Sequence, residues 1–589
     1  MYGVIYMYEN GRFVRIPVKK GRYLIIAPTG SGKTTSILSS ISNYLKNYDR
    51  IFLTFPTKAL MYEVSQRLSE LKILHLIDNS DVRLTKNINV EQWLTSKVIV
   101  SSYEKLDSMI LLYPELLRNS LVVIDEIHLA TDAERALSIL SILSSVRKHA
   151  TDCIVMSATI PEYEKLAEYL NAKIIKHEMD KEVKIMYHEI PYIPRGTINY
   201  INTMFTEIEN IIRQNPEMST IVFRTSRKHC EIIAKMLENK GYSAKPYHAG
   251  MPKDLKNTIL QEFMDGKVKI LVTTHALCWG VNTPAERVII AGSLVYLPGE
   301  VIIGLKTVDI KQMAGRAGRP GFSDKAEVHL IYCNTGQLRT FDGELMTEKE
   351  LFERAMREEY AETIGIKQEP ETILLRYLLV QQFRGIKVNR EDLIAMADDW
   401  YNMPTKERIE EAIDTLIDLG LVVEGQDETV LLTKIGRITG EYYVNISTFK
   451  HIKEIILDNI DDINDRLAVL TACAKVASKL RKATMTIPER ALENSVVLSI
   501  TDEEARDVVA QFTQITGDTE PLAESMKKIA FFVARILKED NKDNKDWVVL
   551  GKTMKQIRLM VASKVDIYNV INTYVDGTID IFFEKLIKK

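Results

Sequence analysis

The chain has 589 residues, 46% of them hydrophobic and 27% charged, with a formal net charge of −3 at pH 7 and an isoelectric point near 6.4. That length exceeds one hydrophobic core, so roughly three to five domains are expected, and the composition excludes a disordered or fibrous chain. The charge excludes a nucleic-acid binder that works by overall positive potential; a strand would have to be held in a local groove. No apolar run reaches the roughly eighteen residues of a membrane span, and residues 1–18 alternate polar with apolar side chains, unlike a signal peptide. A cytoplasmic or nucleoid-associated protein without a membrane partner is expected. Cys153, Cys230, Cys278, Cys333 and Cys473 lie far apart with no Cys-x-x-Cys pair, which suggests free thiols and no structural metal.

In chain order, residues 1–18 read as a β-hairpin about Asn10-Gly11, a type I′ turn signal, carrying Tyr6, Tyr8 and Phe13. Apolar strands at 23–27, 51–55, 97–101, 121–125 and 153–157 then alternate with amphipathic helices, the rhythm of βαβ units, to about residue 185. Residues 186–345 repeat that rhythm, with strands near 219–223, 269–273 and 287–291. Two further apolar strands, 293–297 and 300–303, are joined by Pro298-Gly299, which fits a type II turn. Leu294, Tyr296, Val301 and Ile303 would give this hairpin an apolar tip. Residues 346–445 read as helices followed by a short strand pair with Gly425 at its turn, suiting a winged helix, and 446–589 as a helical bundle.

The fold class is therefore α/β: two tandem lobes, then a winged helix and an α-helical bundle. The helix at 405–419 carries Glu407, Glu410, Glu411, Asp414 and Asp418 against Lys406 and Arg408, net −3, which is hostile to a phosphate backbone and reads as scaffold. Lys475, Lys479, Arg481, Lys482 and Arg490 form a basic stretch that is either a solvated face or the lining of a strand's path. Residues 539–545 read as an exposed linker.

Ala27-Pro28-Thr29-Gly30-Ser31-Gly32-Lys33-Thr34-Thr35 follows an apolar strand and opens a helix, which makes it a P-loop. Its backbone N–H groups and the helix N-terminus cradle phosphates, Lys33 reaches the β and γ oxygens, and the Thr34 hydroxyl suits Mg²⁺. ATP and Mg²⁺ are the cofactors this implies. Leu121-Val122-Val123-Ile124 ends in Asp125-Glu126, where Asp125 would hold Mg²⁺ and Glu126 would orient or deprotonate the attacking water. Lys311-Gln312-Met313-Ala314-Gly315-Arg316-Ala317-Gly318-Arg319 places two arginines three apart. Planar guanidinium groups suit phosphate, so Arg316 and Arg319, with Gln312, would serve the γ-phosphate from the second lobe.

Taken together these segments resemble the superfamily-two DExH helicases. Phe55-Pro56-Thr57-Lys58-Ala59-Leu60, Ser101-Ser102-Tyr103-Glu104-Lys105-Leu106-Asp107-Ser108, His248-Ala249-Gly250 and Trp279-Gly280-Val281-Asn282 are similar to the superkiller branch. Within it they look most like the archaeal Hjm-type repair helicases. Leu432-Thr433-Lys434-Ile435-Gly436-Arg437, followed by Tyr442-Tyr443 and Thr448, is similar to the end of that family's winged helix, so the likeness covers about residues 21–450.

The resemblance implies RecA-like lobes, a monomer, and 3′-to-5′ movement on single-stranded nucleic acid. Pro56, Thr57, Ser102, Glu104, Lys105, Thr225, Arg227, His248, Gly250, Thr273 and Thr274 would then meet the sugar–phosphate backbone without reading sequence. His128, Ser157 and Thr159 would couple the lobes, and the hairpin at 293–303 would be the pin. The chain departs from the family at four places. No Gln precedes the P-loop (the first is Gln66), so either an aromatic of the first hairpin meets the base or that hairpin merely extends the sheet. A Gly-Asp pair is missing around residues 79–86, and the bundle lacks the terminal helix–hairpin–helix glycines. Gly517-Asp518 opens a ratchet-like helix in which Glu520 or Pro521 and Lys528 stand where Arg and Trp are expected. DNA is favoured over RNA because 346–445 leaves no room for an arch insertion. An RNA helicase of the same branch and a nucleotide-gated remodeller stay open, although Glu126 and Arg319 favour turnover.

Overall fold

The computed structural model describes residues 16–540 apart from 29–30, 79–89, 132, 178–181, 194–197, 249, 275–276, 278–284, 298–300, 319–324, 334–335, 341–342, 360–363, 365–368, 403, 426, 443, 464–471, 474–475 and 477–519. The hairpin about Asn10-Gly11, the segment around residues 79–86, the Pro298-Gly299 turn, the basic stretch and Gly517-Asp518 lie outside the described residues or almost wholly so.

The first lobe is one parallel sheet of seven strands: β1 (Arg22–Ile26), β2 (Arg50–Thr54), β3 (Leu76–Asp78), β4 (Val98–Ser101), β5 (Ser120–Ile124), β6 (Asp152–Ser157) and β7 (Lys173–Lys176), in the order β3-β4-β2-β5-β6-β1-β7. Helices cover both faces of such a sheet, so its central strands are continuous apolar runs rather than alternating ones. Leu121 to Ile124 are all buried. This is why each predicted strand of the lobe falls within one residue of its observed place. β3 and β7, short and partly exposed at the two edges, carry no such run and escape the sequence reading.

The second lobe is also parallel: β8 (Glu182–Ile190), β9 (Thr220–Phe223), β10 (Ala244–Tyr247), β11 (Ile270–Thr273), β12 (Arg287–Ala291) and a later strand, in the order β10-β11-β9-β12-β15-β8, where β15 is Lys325–Cys333. Between β12 and β15 the chain makes β13 (Leu294–Leu297) and β14 (Val301–Gly304), which join β16 (Leu338–Arg339) and β17 (Leu345–Met346) in a small sheet. Two expected boundaries move. β8 starts before residue 186, so a division at 185/186 cuts a strand of the second sheet. The helix Glu348–Met356 puts Leu351, Phe352 and Ala355 into the second lobe's core, and the first compact unit runs on to Lys367.

The hairpin is rooted rather than free at its base. Leu294 and Ile303 are buried, so they belong to the lobe and not to an apolar tip. One oxygen of the buried Glu348 carboxylate accepts from Ser293 N at 2.6 Å and Ser293 Oγ at 2.9 Å, and the other from Cys333 N at 2.9 Å.

The second compact unit contains the helices Pro370–Phe383, Arg390–Asp399 and Lys406–Asp418, then the antiparallel strands β18 (Val422–Glu424) and β19 (Val430–Leu432). Gly425 N donates to Thr429 O at 2.9 Å across the turn of that pair, the wing expected there. Thr405 caps the third helix, which buries Ile409, Ala412, Ile413 and Leu416 and leaves all five of its named carboxylates exposed. Gly436, in the helix Lys434–Glu441, has no alternative: a Cβ there would overlap the Leu421 carbonyl. The helices Ile446–Ile455 and Glu520–Glu539 follow. Among the described residues no helix is long and apolar enough to cross a membrane.

Candidate active site

In a parallel sheet, ligands gather beyond the carboxyl ends of the strands. In the first lobe those ends divide the polar residues into two groups. β1, β5 and β6 are neighbours and deliver the P-loop, Asp125-Glu126 and Ser157-Ala158-Thr159; β2 and β4 deliver Pro56-Thr57 and Ser102-Tyr103-Glu104-Lys105.

The P-loop leaves β1 through Ala27 and Pro28 and turns into the helix Lys33–Asn47 at Gly32, whose φ of 75° is the left-handed value that glycine adopts at little steric cost. Thr29 and Gly30 lie outside the described residues. The buried Lys33 ammonium donates to Ala27 O at 2.7 Å and Pro28 O at 3.2 Å, and Ser31 N donates to Pro28 O at 3.2 Å. Thr34 Oγ1 donates to Asp125 Oδ2 at 3.4 Å, while Asp125 Oδ1 accepts from Glu126 N at 3.0 Å. The neighbouring Thr35 hydroxyl is taken by Arg67 Nη1 at 3.1 Å.

The two carboxyl groups are driven apart electrostatically. Burial and the charge of Glu126 raise Asp125 to about 7. Burial also acts to raise Glu126, but hydrogen bonding to His128 and the positive charges of Lys33 and Arg316 outweigh it and lower the group to about 2. A pocket lined by the Thr34 hydroxyl and the Asp125 carboxyl has the hard oxygen donors that suit Mg²⁺.

Around Glu126 a network crosses from one lobe to the other. The Ser157 hydroxyl donates to Glu126 Oε2 at 3.3 Å and lies 2.7 Å from His128 Nδ1. Gln312 Nε2, on the second lobe's helix Thr307–Ala314, lies 2.5 Å from His128 Nε2. A proton on Nδ1 satisfies both contacts, with His128 donating to Ser157 and accepting from Gln312. Thr159 N also donates to Ser157 Oγ, at 3.3 Å. Arg316 is buried in the second lobe, and Arg319 lies outside the described residues. Lys306 adds a lobe-to-lobe hydrogen bond to Thr131 O at 3.2 Å that the sequence reading missed, since nothing local marks it.

The residues predicted to meet a strand fare unevenly. Thr57 and Ser102 cap helices, accepting from Leu60 N and Lys105 N at 3.3 Å each, and both stay partly accessible, as does Glu104. Pro56 is buried and shapes its loop. In the second lobe Thr225 and the exposed Arg227 follow β9, His248 and Gly250 follow β10, and Thr274 follows β11, on three adjacent strands. A Cβ on Gly250 would stand 3.4 Å from both Arg227 Nη1 and His248 Nδ1, so the three form one surface. Burial keeps His248 on the neutral side of its ordinary range despite Glu231 at 3.1 Å.

Two residues are corrected. Thr273 is fully buried and spends its hydroxyl on Thr274 O at 3.0 Å. Lys105 is buried and paired with Asp78 at 3.4 Å, a partner supplied by the unpredicted strand β3. Breaking a buried pair strands the remaining charge, so Lys105→Met is expected to lower unfolding stability by about 3 kcal/mol in a urea titration. Weakened strand binding at unchanged stability would return Lys105 to the strand-contacting set.

Two family models match the chain, one in each lobe. The DEAD/DEAH box helicase model matches residues 13–166 and the helicase conserved C-terminal domain model residues 203–321. The chain therefore carries a DEAD/DEAH box helicase domain followed by a helicase C-terminal domain. It is 27% identical to the ATP-dependent DNA helicase Hel308 of Caldivirga maquilingensis, over 75% of this chain and 64% of that protein. To the Hel308 of Thermoplasma volcanium it is 25% identical, over 80% and 73%. To a probable ATP-dependent helicase of Methanocaldococcus jannaschii it is 31% identical, over 52% and 38%. The chain therefore spans from about two fifths to under three quarters of the length of these relatives. Apart from residues 81–87 and 296–301, both matched ranges lie in the first compact unit, where the two sheets and the Glu126–His128–Gln312 network are found.

Proposed function

We propose that the chain is an ATP-driven helicase that moves 3′ to 5′ along single-stranded DNA. One observation carries the reading: Glu126 is tied through Ser157 and His128 to Gln312 of the opposite lobe, so the hydrolytic carboxylate is built from both lobes at once. In this reading ATP binds against the P-loop, with Lys33 turning from its two carbonyls to the phosphate oxygens. Thr34 and Asp125 would hold Mg²⁺, which neutralises charge on those oxygens. Glu126, ionised at neutral pH, orients the attacking water and takes its proton as the bond to the leaving diphosphate breaks. Arg316 and Arg319 stabilise the charge spreading over the transferred phosphoryl group, an effect worth roughly 10³–10⁵ in rate where such fingers have been removed.

Thr57, Ser102 and Glu104 of one lobe and Thr225, Arg227, His248, Gly250 and Thr274 of the other then grip the sugar–phosphate backbone. Alternate gripping as the lobes close and open advances the strand. The hairpin β13–β14 acts as the pin, and the winged helix with its acidic third helix is scaffold beside a helical bundle. The protein is taken to work as a monomer in the cytoplasm or on the nucleoid. DNA is preferred because two of the relatives named above are DNA helicases. ATP turnover measured with matched single strands of DNA and RNA of one sequence tests the choice. Greater stimulation by DNA is expected; stimulation by RNA alone would move the chain to the RNA helicases.

A further inference from the structure

Asp125 is gripped at both ends of its backbone. Its N–H donates to Thr54 O at 3.2 Å, at the end of β2, two residues before the Pro56-Thr57 loop. Its carbonyl accepts from the Tyr103 hydroxyl at 2.5 Å. Tyr103 is the residue after Ser102, and it is fully buried, with the Arg135 guanidinium 5.8 Å from its ring centroid. The loops after β2 and β4 are themselves joined, since Phe55 N donates to Ser101 O at 3.2 Å. Both loops through which the first lobe is read as holding a strand therefore end on the same residue, Asp125.

Of the two contacts, the one from Tyr103 falls on the peptide that joins Asp125 to Glu126. The Asp125 carbonyl lies in the plane that links the two residues, so its direction sets where the Glu126 backbone stands. Glu126 has a φ of 52°, a left-handed conformation that a side chain with a Cβ adopts only when its surroundings enforce it. The Asp125 side chain adds to the enforcement by accepting from Glu126 N. The Tyr103 hydroxyl acts on the same bond from the strand side. Burial pushes that phenol well above its ordinary range, so it remains a donor throughout the working pH range.

We infer that Tyr103 is a positioning residue that carries strand binding at Ser102 to Glu126, through its hydrogen bond to the Asp125 carbonyl. This rests on the reading of Ser102 as a strand contact and Glu126 as the hydrolytic carboxylate. A strand that shifts the first turn of the helix Tyr103–Leu112 turns the Asp125–Glu126 peptide with it, and the carboxylate moves between a resting and a working place.

The experiment is Tyr103→Phe in the full chain, which keeps the ring and removes only the donor. Turnover is measured without nucleic acid and across a titration of single-stranded DNA, with KM for ATP in each state. Stimulation by the strand should fall about tenfold, the scale of one buried carbonyl left unpaired. Strand-free turnover, KM for ATP and the half-saturating strand concentration should stay at parent values. An unchanged stimulation ratio overturns the inference. So does an equal loss of strand-free and strand-stimulated turnover, because the hydroxyl would then support the site itself and carry no signal. A parent chain that no strand stimulates overturns the nucleic-acid reading and the inference with it, whereas a stimulated parent beside an equally stimulated variant overturns the inference alone.

Discussion

Glu126→Gln is expected to leave ATP binding nearly intact and to lower turnover at least ~10²-fold, the scale of a lost general base. The substitution preserves shape: the amide oxygen still accepts from the Ser157 hydroxyl that stands 3.3 Å from Glu126 Oε2. What disappears is a charge that His128, Lys33 and Arg316 hold in its ionised form. Asp125 loses the neighbour that helps to raise it and returns toward the ordinary carboxylate range, which favours cation and nucleotide binding if anything. Binding of a fluorescent ATP analogue, set beside steady-state turnover on single-stranded DNA, checks both halves. Normal strand-stimulated turnover in the variant would remove Glu126 from the hydrolytic step.

The second large effect concerns strand separation without loss of hydrolysis. Ser293, Leu294 and Ile303 belong to the second lobe: Ser293 is held by Glu348, and the other two are buried. Replacing residues 296–301 with a glycine–serine turn spares that root, along with Gln312 and Arg316. Strand-stimulated ATPase should then persist. Duplex unwinding should fall about tenfold or more, since a wedge that no longer covers the last pair leaves ~1.4 kcal/mol of stacking per base-pair step uncompensated. A variant that unwinds as well as the parent would show that the hairpin is no pin.

Much of the chemistry was legible in the sequence because it needs contiguous residues. A phosphate cradle needs glycine, lysine and threonine in one turn, and a cation site at a strand end needs carboxylates directly after an apolar run, so Gly32-Lys33-Thr34 and Asp125-Glu126 announce themselves. Buried central strands such as β5 announce themselves for the same reason. What stayed hidden depends on partners distant in the chain. Lys105 looked like a strand contact because its partner, Asp78, sits on a three-residue edge strand with no apolar run. The lobe boundary was misplaced because β8 mixes Glu182, Lys184 and Glu189 among its apolar residues and is defined only by pairing with β15, over a hundred residues later. Glu348 as the anchor of the hairpin, Lys306 bridging the lobes and Tyr103 reaching Asp125 are visible only once the sheets are assembled.

The coupling of hydrolysis to movement is tested most directly by strand separation on tailed DNA duplexes, with ATP, in the parent chain and in Glu126→Gln. The parent should separate a duplex with a 3′ single-stranded tail, leave 5′-tailed and blunt duplexes paired, and lose the activity on Glu126→Gln substitution. A parent whose ATPase responds to single strands yet separates no duplex would contradict the motor and leave a nucleotide-gated remodeller in its place.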